Sequence, residues 1–434
     1  MTKFINIIIA AMIASPAAAA AITVDARKCV EMALESSADM KVAVNSKEQA
    51  RLQKEVAFTA YLPDFAGSAM GICRTPDQDM MGMTISMKAM WLAGINVTQP
   101  LYAGGKIVAA NKMARIGVEA ASQQLRMTSA EVSAGAQNAY WSYVAVLAKV
   151  RMMKSYVAQI DTAYAQTRSA LEAGMVTRND LQRIEARRAQ VLYQLGRTES
   201  GADLSRMNLC HIIGVDTSEE IVPADADAEV ELPENLHDYN LFDRPEVALL
   251  QCDADARHQQ VKMTRADFLP TLGLVAGWSA YGNIRVKGFQ QDAEGNYHPF
   301  SSHVRGDGWS VMASLSVPLW HWGEGCKKVR HARLDAENAR IALDDNIKLM
   351  DLEVRQAISN VDAGRSLLES ARLAMTEAET NLANITQSYE LGLCPLTDYL
   401  DAQSQWQTSA SDLIEASTQL RIYCVDYLRV TGRL

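Results

Sequence analysis

Long apolar runs are nearly absent from this chain, and so are phenylalanine and proline: 7 Phe and 11 Pro stand among 434 residues. After residue 21 no stretch of about 18 apolar residues occurs, which excludes a membrane-spanning helix. Positive charge is not in excess either, and a net charge of −9 argues against a nucleic-acid partner. The seven cysteines, at 29, 73, 210, 252, 326, 394 and 424, are odd in number and irregular in spacing. They imply no disulfide framework and read as small helix-packing residues. No Ser/His/Asp set or Cys/His nucleophile can be argued, so no enzyme is expected. His321, Cys326 and His331 are spaced by five, which puts them on different faces of a helix with no fourth ligand. No metal and no other cofactor is expected. The glycine pair of "TQPLYAGGK" (98–106) is not a phosphate loop, because Pro100 stands where the first glycine belongs and Ile107 follows the lysine.

What is present is alanine, in a composition suited to long helices. The first 21 residues read as a secretory signal: Lys3, the apolar "FINIIIAAMIA", then "SPAAAAA" with small-residue cleavage options. The remainder repeats itself. Pro100 and Pro318 differ by 318 − 100 = 218, and Leu101/Leu319, Tyr102/Trp320, Gly105/Gly323, Gly174/Gly392 and Asp180/Asp398 keep that offset. One shared offset over this span is an internal duplication. The expected layout is a signal over 1–21, a first repeat over 22–216, an acidic linker over 217–243 lying on the surface, and a second repeat over 244–434.

Each repeat opens with a helical segment, near 25–58 and near 244–266, and continues into two strand candidates. These are 60–73 and 85–100 in the first repeat, 267–282 and 308–318 in the second, separated by a polar insert and by a long loop. In "GWSVMASLSVP", Trp309, Val311, Ala313, Leu315 and Val317 alternate with Ser310, Met312, Ser314 and Ser316, the period of a strand between two environments. The candidates run about 9 to 13 residues, the length of a tilted transmembrane strand. Pro63 and Pro270 mark strand entries; Pro100 and Pro318 mark exits.

Very long helices then follow, over about 107–172 and 325–390. Ile347, Val354, Val361, Leu368, Met375, Leu382 and Tyr389 recur every seven residues, with a row of smaller residues three positions on. The first copy keeps the phase, with Ala136, Tyr143, Val150, Val157, Tyr164 and Leu171. Sustained heptads define a coiled-coil seam, and about 65 residues make a rod of roughly 100 Å. Gly174 and Gly392 end the rods, Thr177 and Asp180 form a capping-box pattern, and return helices follow near 178–213 and 396–431. Four strands per chain cannot close a barrel, so the chain is expected to oligomerise.

In this order, and twice over, "YLP" (61–63) and "FLP" (268–270), "QPLYAGGK" and "VPLWHWGEG", and the tips "AGMVTRNDL" and "YELGLCPLTDYLDA" resemble the TolC-type outer-membrane efflux channel family. The resemblance spans essentially the whole mature chain. It implies a mixed α/β membrane protein, a homotrimer whose 12-stranded β-barrel sits in outer-membrane lipid and continues into a periplasmic α-helical coiled-coil barrel. It implies the outer membrane of a Gram-negative bacterium, a periplasmic adaptor (membrane fusion) protein and an inner-membrane pump of the RND, ABC or MFS type, exporting drugs, small molecules or proteins.

Site residues follow from the same resemblance. Asp398 and Asp401 match acids that constrict the periplasmic mouth; Tyr389 and Asp180 match residues that hold it closed. Cys394 stands where a basic residue is familiar, with Pro395 next, and Arg178 or Arg183 could substitute. The tip residues Gly174, Met175, Thr177, Arg178, Gly392 and Leu393 are the expected adaptor contact. Pro100, Gly104, Gly105, Pro318 and Gly323 are expected to turn the chain from strand into rod. For Asp398 and Asp401, three apart on a first helical turn, helix-dipole stabilisation is the competing role. Two other classes compete for the whole chain. A secreted coiled-coil scaffold without a pore explains the heptads but not the two-faced strands, and a periplasmic enzyme would need a compact core and a site.

Overall fold

The computed structural model describes residues 22–226, 228–233 and 235–434, so the signal read over 1–21 lies outside the described residues. In chain order the elements are β1 (Ile22–Val24), α1 (Ala26–Ser36), α2 (Ala38–Thr59), β2 (Asp64–Met80), β3 (Met83–Ala103), α3 (Lys106–Glu172), α4 (Arg178–Ile213), β4 (Ile221–Pro223), α5 (Pro245–Ala266), β5 (Thr271–Gln291), β6 (Tyr297–Ser316), α6 (Glu324–Glu390) and α7 (Leu396–Val430). The chain divides into two units. One holds residues up to Val44, Gln124–Val247 and Asn346–Leu434; the other holds Asn45–Gln123 and Ala248–Asp345. Among the described residues, no helix is long and apolar enough to cross a membrane.

The second unit carries a four-stranded antiparallel sheet in the order β2-β3-β5-β6, which leaves β2 and β6 as its edges. Its strands are 17, 21, 21 and 20 residues long, well beyond the expected 9 to 13. The polar insert of the first hairpin and most of the long loop of the second are strand. The ladder is made by backbone groups, so polar side chains do not end it while a partner strand continues. Pairing stops at a left-handed turn, Met81 (φ 48°) and Gly82 (φ 78°), in the first hairpin. In the second it stops at 292–296, where Gly295 has φ 90°. Pro63, Pro270 and Pro318 flank strands as expected, but Pro100 does not mark an exit. It lies inside β3 opposite Gly273, beside a register irregularity between Pro100 and Tyr102 that accommodates its missing N–H.

The first unit is mainly helical, with the short parallel pair of β1 and β4. In α6 the two seven-residue rows are the buried or half-buried face: Val354, Ala357, Val361, Gly364, Leu368, Ala378 and Leu382 are buried, and no member is exposed. Gly364 is small for a reason, because a Cβ there would stand 3.0 Å from the Tyr423 ring and 3.2 Å from Leu420 Cδ1 on α7. Leu420, Cys424, Tyr427 and Val430 of α7 close this core. The rows of α3 are likewise never exposed, and Tyr140 and Tyr156 beyond them are fully buried. Around Tyr140 and Tyr143 gather Val24, Cys29, Leu209, Cys210, Ile213 and Ile221. Ile221 comes from the segment expected to lie on the surface. It forms β4, pairs in parallel with β1, and is 2% exposed. The helix expected near 25–58 breaks at Ser37, whose N–H closes α1 on Ala33 O. All seven cysteines are free; Cys29, Cys210, Cys252 and Cys424 are buried packing residues, whereas Cys73 and Cys326 are exposed.

Candidate functional site

At the first tip, α3 ends in a Schellman motif. Gly174 (φ 74°) donates to Leu171 O at 3.0 Å and Met175 N–H donates to Ala170 O at 2.9 Å. α4 then starts with a complete capping box. Asp180 N–H donates to Thr177 Oγ1 at 3.3 Å, while Asp180 Oδ2 accepts from Thr177 N–H at 3.0 Å and from Thr177 Oγ1 at 2.6 Å. These bonds from Thr177 hold the Asp180 carboxyl below the usual carboxylate range. The Asp180 carboxylate is therefore occupied within its own turn.

The second tip ends α6 the same way. Gly392 (φ 71°) donates to Tyr389 O at 2.9 Å and Leu393 N–H to Ser388 O at 2.8 Å. Met175 and Leu393 hold equivalent places after the two glycines, and each is 75% exposed. Cys394 hangs over the end of α6, its thiol 3.7 Å from Ile385 O, and burial and the Asp398 charge push that thiol up. α7 begins after Pro395, which offers no side-chain cap. Asp398 touches only Thr397 Oγ1 (3.3 Å) through its side chain, and Asp401 makes no side-chain bond among the described residues. Both carboxylates are exposed, as are Arg178 and Arg183.

Behind this surface lies a packed knot that the sequence reading did not assemble. Tyr389 stacks on Tyr399 with ring centroids 5.0 Å apart and an interplanar angle of 15°, and its hydroxyl meets Thr167 Oγ1 at 3.0 Å. Gln403 Nε2 donates to Tyr399 Oη at 2.7 Å. Burial, with Tyr389 next in weight, pushes the Tyr399 hydroxyl up to about 12. Ala163, Ile184, Leu382, Leu396 and Ala402 fill the space around the pair. Tyr389 thus ties α6 to α3 and α7 within one chain, and it does not meet Asp180. Tyr399 and Gln403, one turn apart on α7, were the sequence signal for the second half of the knot.

The strand-to-helix turns lie in the other unit. Gly104 (φ 60°) is obligatory there, because a Cβ would stand 2.8 Å from Ala266 O and 2.9 Å from Leu269 Cβ. Gly105 and Gly323 also take positive φ, whereas Pro318 is ordinary coil and Pro100 belongs to β3. Lys106 Nζ meets Asp267 Oδ1 at 2.7 Å, joining the start of α3 to the end of α5. The three residues weighed as metal ligands have other neighbours or face solvent. His331 Nδ1 meets Asp335 Oδ2 at 3.0 Å, His321 lies edge-on to Phe268, and Cys326 is exposed. Among the described residues, no group of three or more His, Cys, Asp or Glu is placed to hold a metal ion.

The sequence profile of the family described as outer membrane efflux protein matches residues 29–215 and 240–432. Outer membrane efflux protein BepC of Brucella suis biovar 1 is 22% identical over 408 residues, covering 90% of this chain and 82% of that one. Alkaline protease secretion protein AprF of Pseudomonas aeruginosa is 26% identical over 197 residues, 45% of this chain and 37% of that one. Among solved structures, the Campylobacter jejuni CmeC outer membrane channel shares the fold with a TM-score of 0.77 at 20% identity, over 94% of this chain and 85% of that one. The chain belongs to the outer membrane efflux protein family, whose members are channels of the Gram-negative outer membrane and not enzymes.

Proposed function

We propose that this chain is the outer-membrane exit duct of a tripartite efflux or type I secretion system. Three copies close a twelve-stranded barrel, their helices continue as a duct in the periplasm, and the helical tips open to admit drugs, small molecules or proteins from an inner-membrane pump. One observation carries this reading: a single chain supplies four long strands, with β2 and β6 left as open edges. Both faces of β6 are exposed, with Trp309 at 84% and Met312 at 58%. Open edges are not tolerated in lipid, and a closed barrel needs at least about eight strands. Pairing β2 of one copy with β6 of the next removes every edge. The rods support the same assembly, since Leu352, Leu367 and Leu373 on α6 are each more than half exposed. The efflux and secretion names of the two relatives support the type of cargo route. Mass measurement of detergent-extracted protein is expected to give a trimer, and a stable monomer would overturn the duct. The pore-free scaffold predicts that monomer or a soluble oligomer.

The exposed Met175 and Leu393 fit the contact with a periplasmic adaptor. Cysteine substituted at either position should crosslink it, whereas capture only from 217–238 contradicts this docking. Asp398 and Asp401 are the lumenal acids of the mouth in this reading, six carboxylates around the axis of a trimer. Tyr389, held by Thr167 and Tyr399, fastens the closed tip.

A further inference from the structure

The chain carries 42 bases and 51 acids, yet its bases crowd one place. In the ten residues of α2, α3, α5 and α6 nearest the sheet (50–59, 106–115, 257–266 and 324–333), twelve bases stand against two acids, Glu55 and Glu324. Two grooves between these helix ends collect part of that charge. One, of about 600 Å³, is lined by Lys54, Phe58, Tyr61, Val108, Lys112 and Arg115, and by one acid, Glu55, whose carboxylate is ion-paired with Arg51 at 2.7 Å. The other, of about 330 Å³, shares Lys112 and adds Lys262, Arg265, Leu269 and Gln259. All five of these bases are exposed, and none has an ion-pair partner among the described residues. Gln259 Oε1 is buried there without a hydrogen-bond partner.

Aromatics accompany the bases. Tyr102, Trp320 and Trp322, at the turns joining sheet to helices, are 51%, 72% and 85% exposed. Phe58 is 57% exposed in the first groove itself. Exposed Trp and Tyr mark the level where apolar lipid meets water. Bases one turn further on would stand at the height of phosphates, and a surface of anionic headgroups attracts such a cluster.

We propose that the grooves around Lys112 bind anionic phospholipid, with the phosphate held by Lys54, Lys112 and Arg115 and the acyl chains lying along Phe58, Tyr61 and Val108. The inference rests on the outer-membrane reading above and names the lipid class that the duct holds at its periplasmic leaflet. It explains why a chain of net negative charge concentrates bases beside its sheet and leaves the five that line the grooves without ion-pair partners, while Arg51, Lys106, Arg257 and Lys328 are paired.

Native mass spectrometry of the detergent-purified oligomer with added phosphatidylglycerol or phosphatidylcholine tests it. Wild type should retain phosphatidylglycerol in preference, and K54Q/K112Q/R115Q should weaken that retention about fivefold per charge removed. K112R should preserve it. If the triple variant does not assemble, K262Q/R265Q in the adjoining groove is read instead. Equal retention of both lipids overturns the proposal, as does displacement of the lipid by millimolar inorganic phosphate, which would mark a free-anion site. Unchanged retention together with altered ion selectivity in planar bilayers also overturns it, because the bases would then line the duct. Fractionation of wild type reports separately on the duct reading, which fails if the protein is absent from outer membranes.

Discussion

Asp180 and Asp398 lie 218 residues apart, each six residues after a helix-ending glycine, and their carboxylates are engaged differently. Each is the third residue of a return helix. The residue before each helix has nearly the same backbone, φ −88°, ψ 158° at Thr177 and φ −72°, ψ 159° at Pro395. Only the side chain differs. Thr177 supplies a hydroxyl and an N–H, and both engage the Asp180 carboxylate. Pro395 supplies neither, and Asp398 is left exposed with one weak side-chain neighbour, Thr397. Two turns with nearly the same backbone at this position are thus divided into a locked one and a released one by one residue. A carboxylate committed to a cap is a poor ligand for anything else, whereas a released one is free to meet solvent ions.

The largest effect that should follow from this division is in the released turn. On the proposed lumenal ring, Asp398→Ala with Asp401→Ala should remove most of the channel's cation preference, and any block by divalent ions from the periplasmic side, because a ring of acids favours cations and offers hard oxygen ligands. The trimer should survive, since neither side chain packs in a core. Planar-bilayer recording of both proteins measures this; unchanged selectivity and unchanged divalent response would falsify the lumenal ring and leave the acids a helix-dipole role.

Converting the released turn into the locked one is a gentler change. Pro395→Thr should let Asp398 close a capping box, slowing hydrogen exchange of the second-tip amides about fivefold, the equivalent of ~1 kcal/mol. Selectivity should fall part of the way towards that of the double alanine variant. Exchange slowed with selectivity intact would show that Asp398 does its work even when capped, and the division would lose its meaning.

The smallest effect is expected in the locked turn. Thr177→Ala should speed exchange of the first-tip amides about fivefold, again ~1 kcal/mol, and leave selectivity unchanged. The Asp180 carboxyl is depressed in the folded chain, so its contribution is complete above the ordinary value of about 3.9 and is lost as pH falls through the lower folded value. First-tip protection, corrected for the intrinsic pH dependence of exchange, should therefore fall below about pH 4 in wild type and fall less in Thr177→Ala, which loses the hydroxyl bond but keeps the backbone N–H bond to Asp180. A variant that titrates like wild type would mean that the Thr177 hydroxyl is not the main cause of the shift.

The features that the sequence by itself determined are those with a local rule. The seven-residue rows of α3 and α6 named the buried face of both rods, because helical periodicity is set by backbone geometry and not by what the face meets. Gly174 and Gly392 named the ends of the rods, because a left-handed residue after a helix excludes most side chains. The capping box was legible too, since both partners lie within one turn. Other features depended on a distant segment. The strands run on through polar residues because a partner backbone is there to pair with, which nothing in "RTPDQDMMGMT" reveals. Pro100 sits within β3 because a register shift against β5 makes room for it. Ile221 is buried because β1, some two hundred residues away, offers an edge. Tyr389 meets Tyr399 and Thr167 only once α3, α6 and α7 are packed. Tertiary structure decided these cases because the energy of a ladder, a stack or a buried side chain resides in the partner, and the partner's sequence position carries no periodic signal.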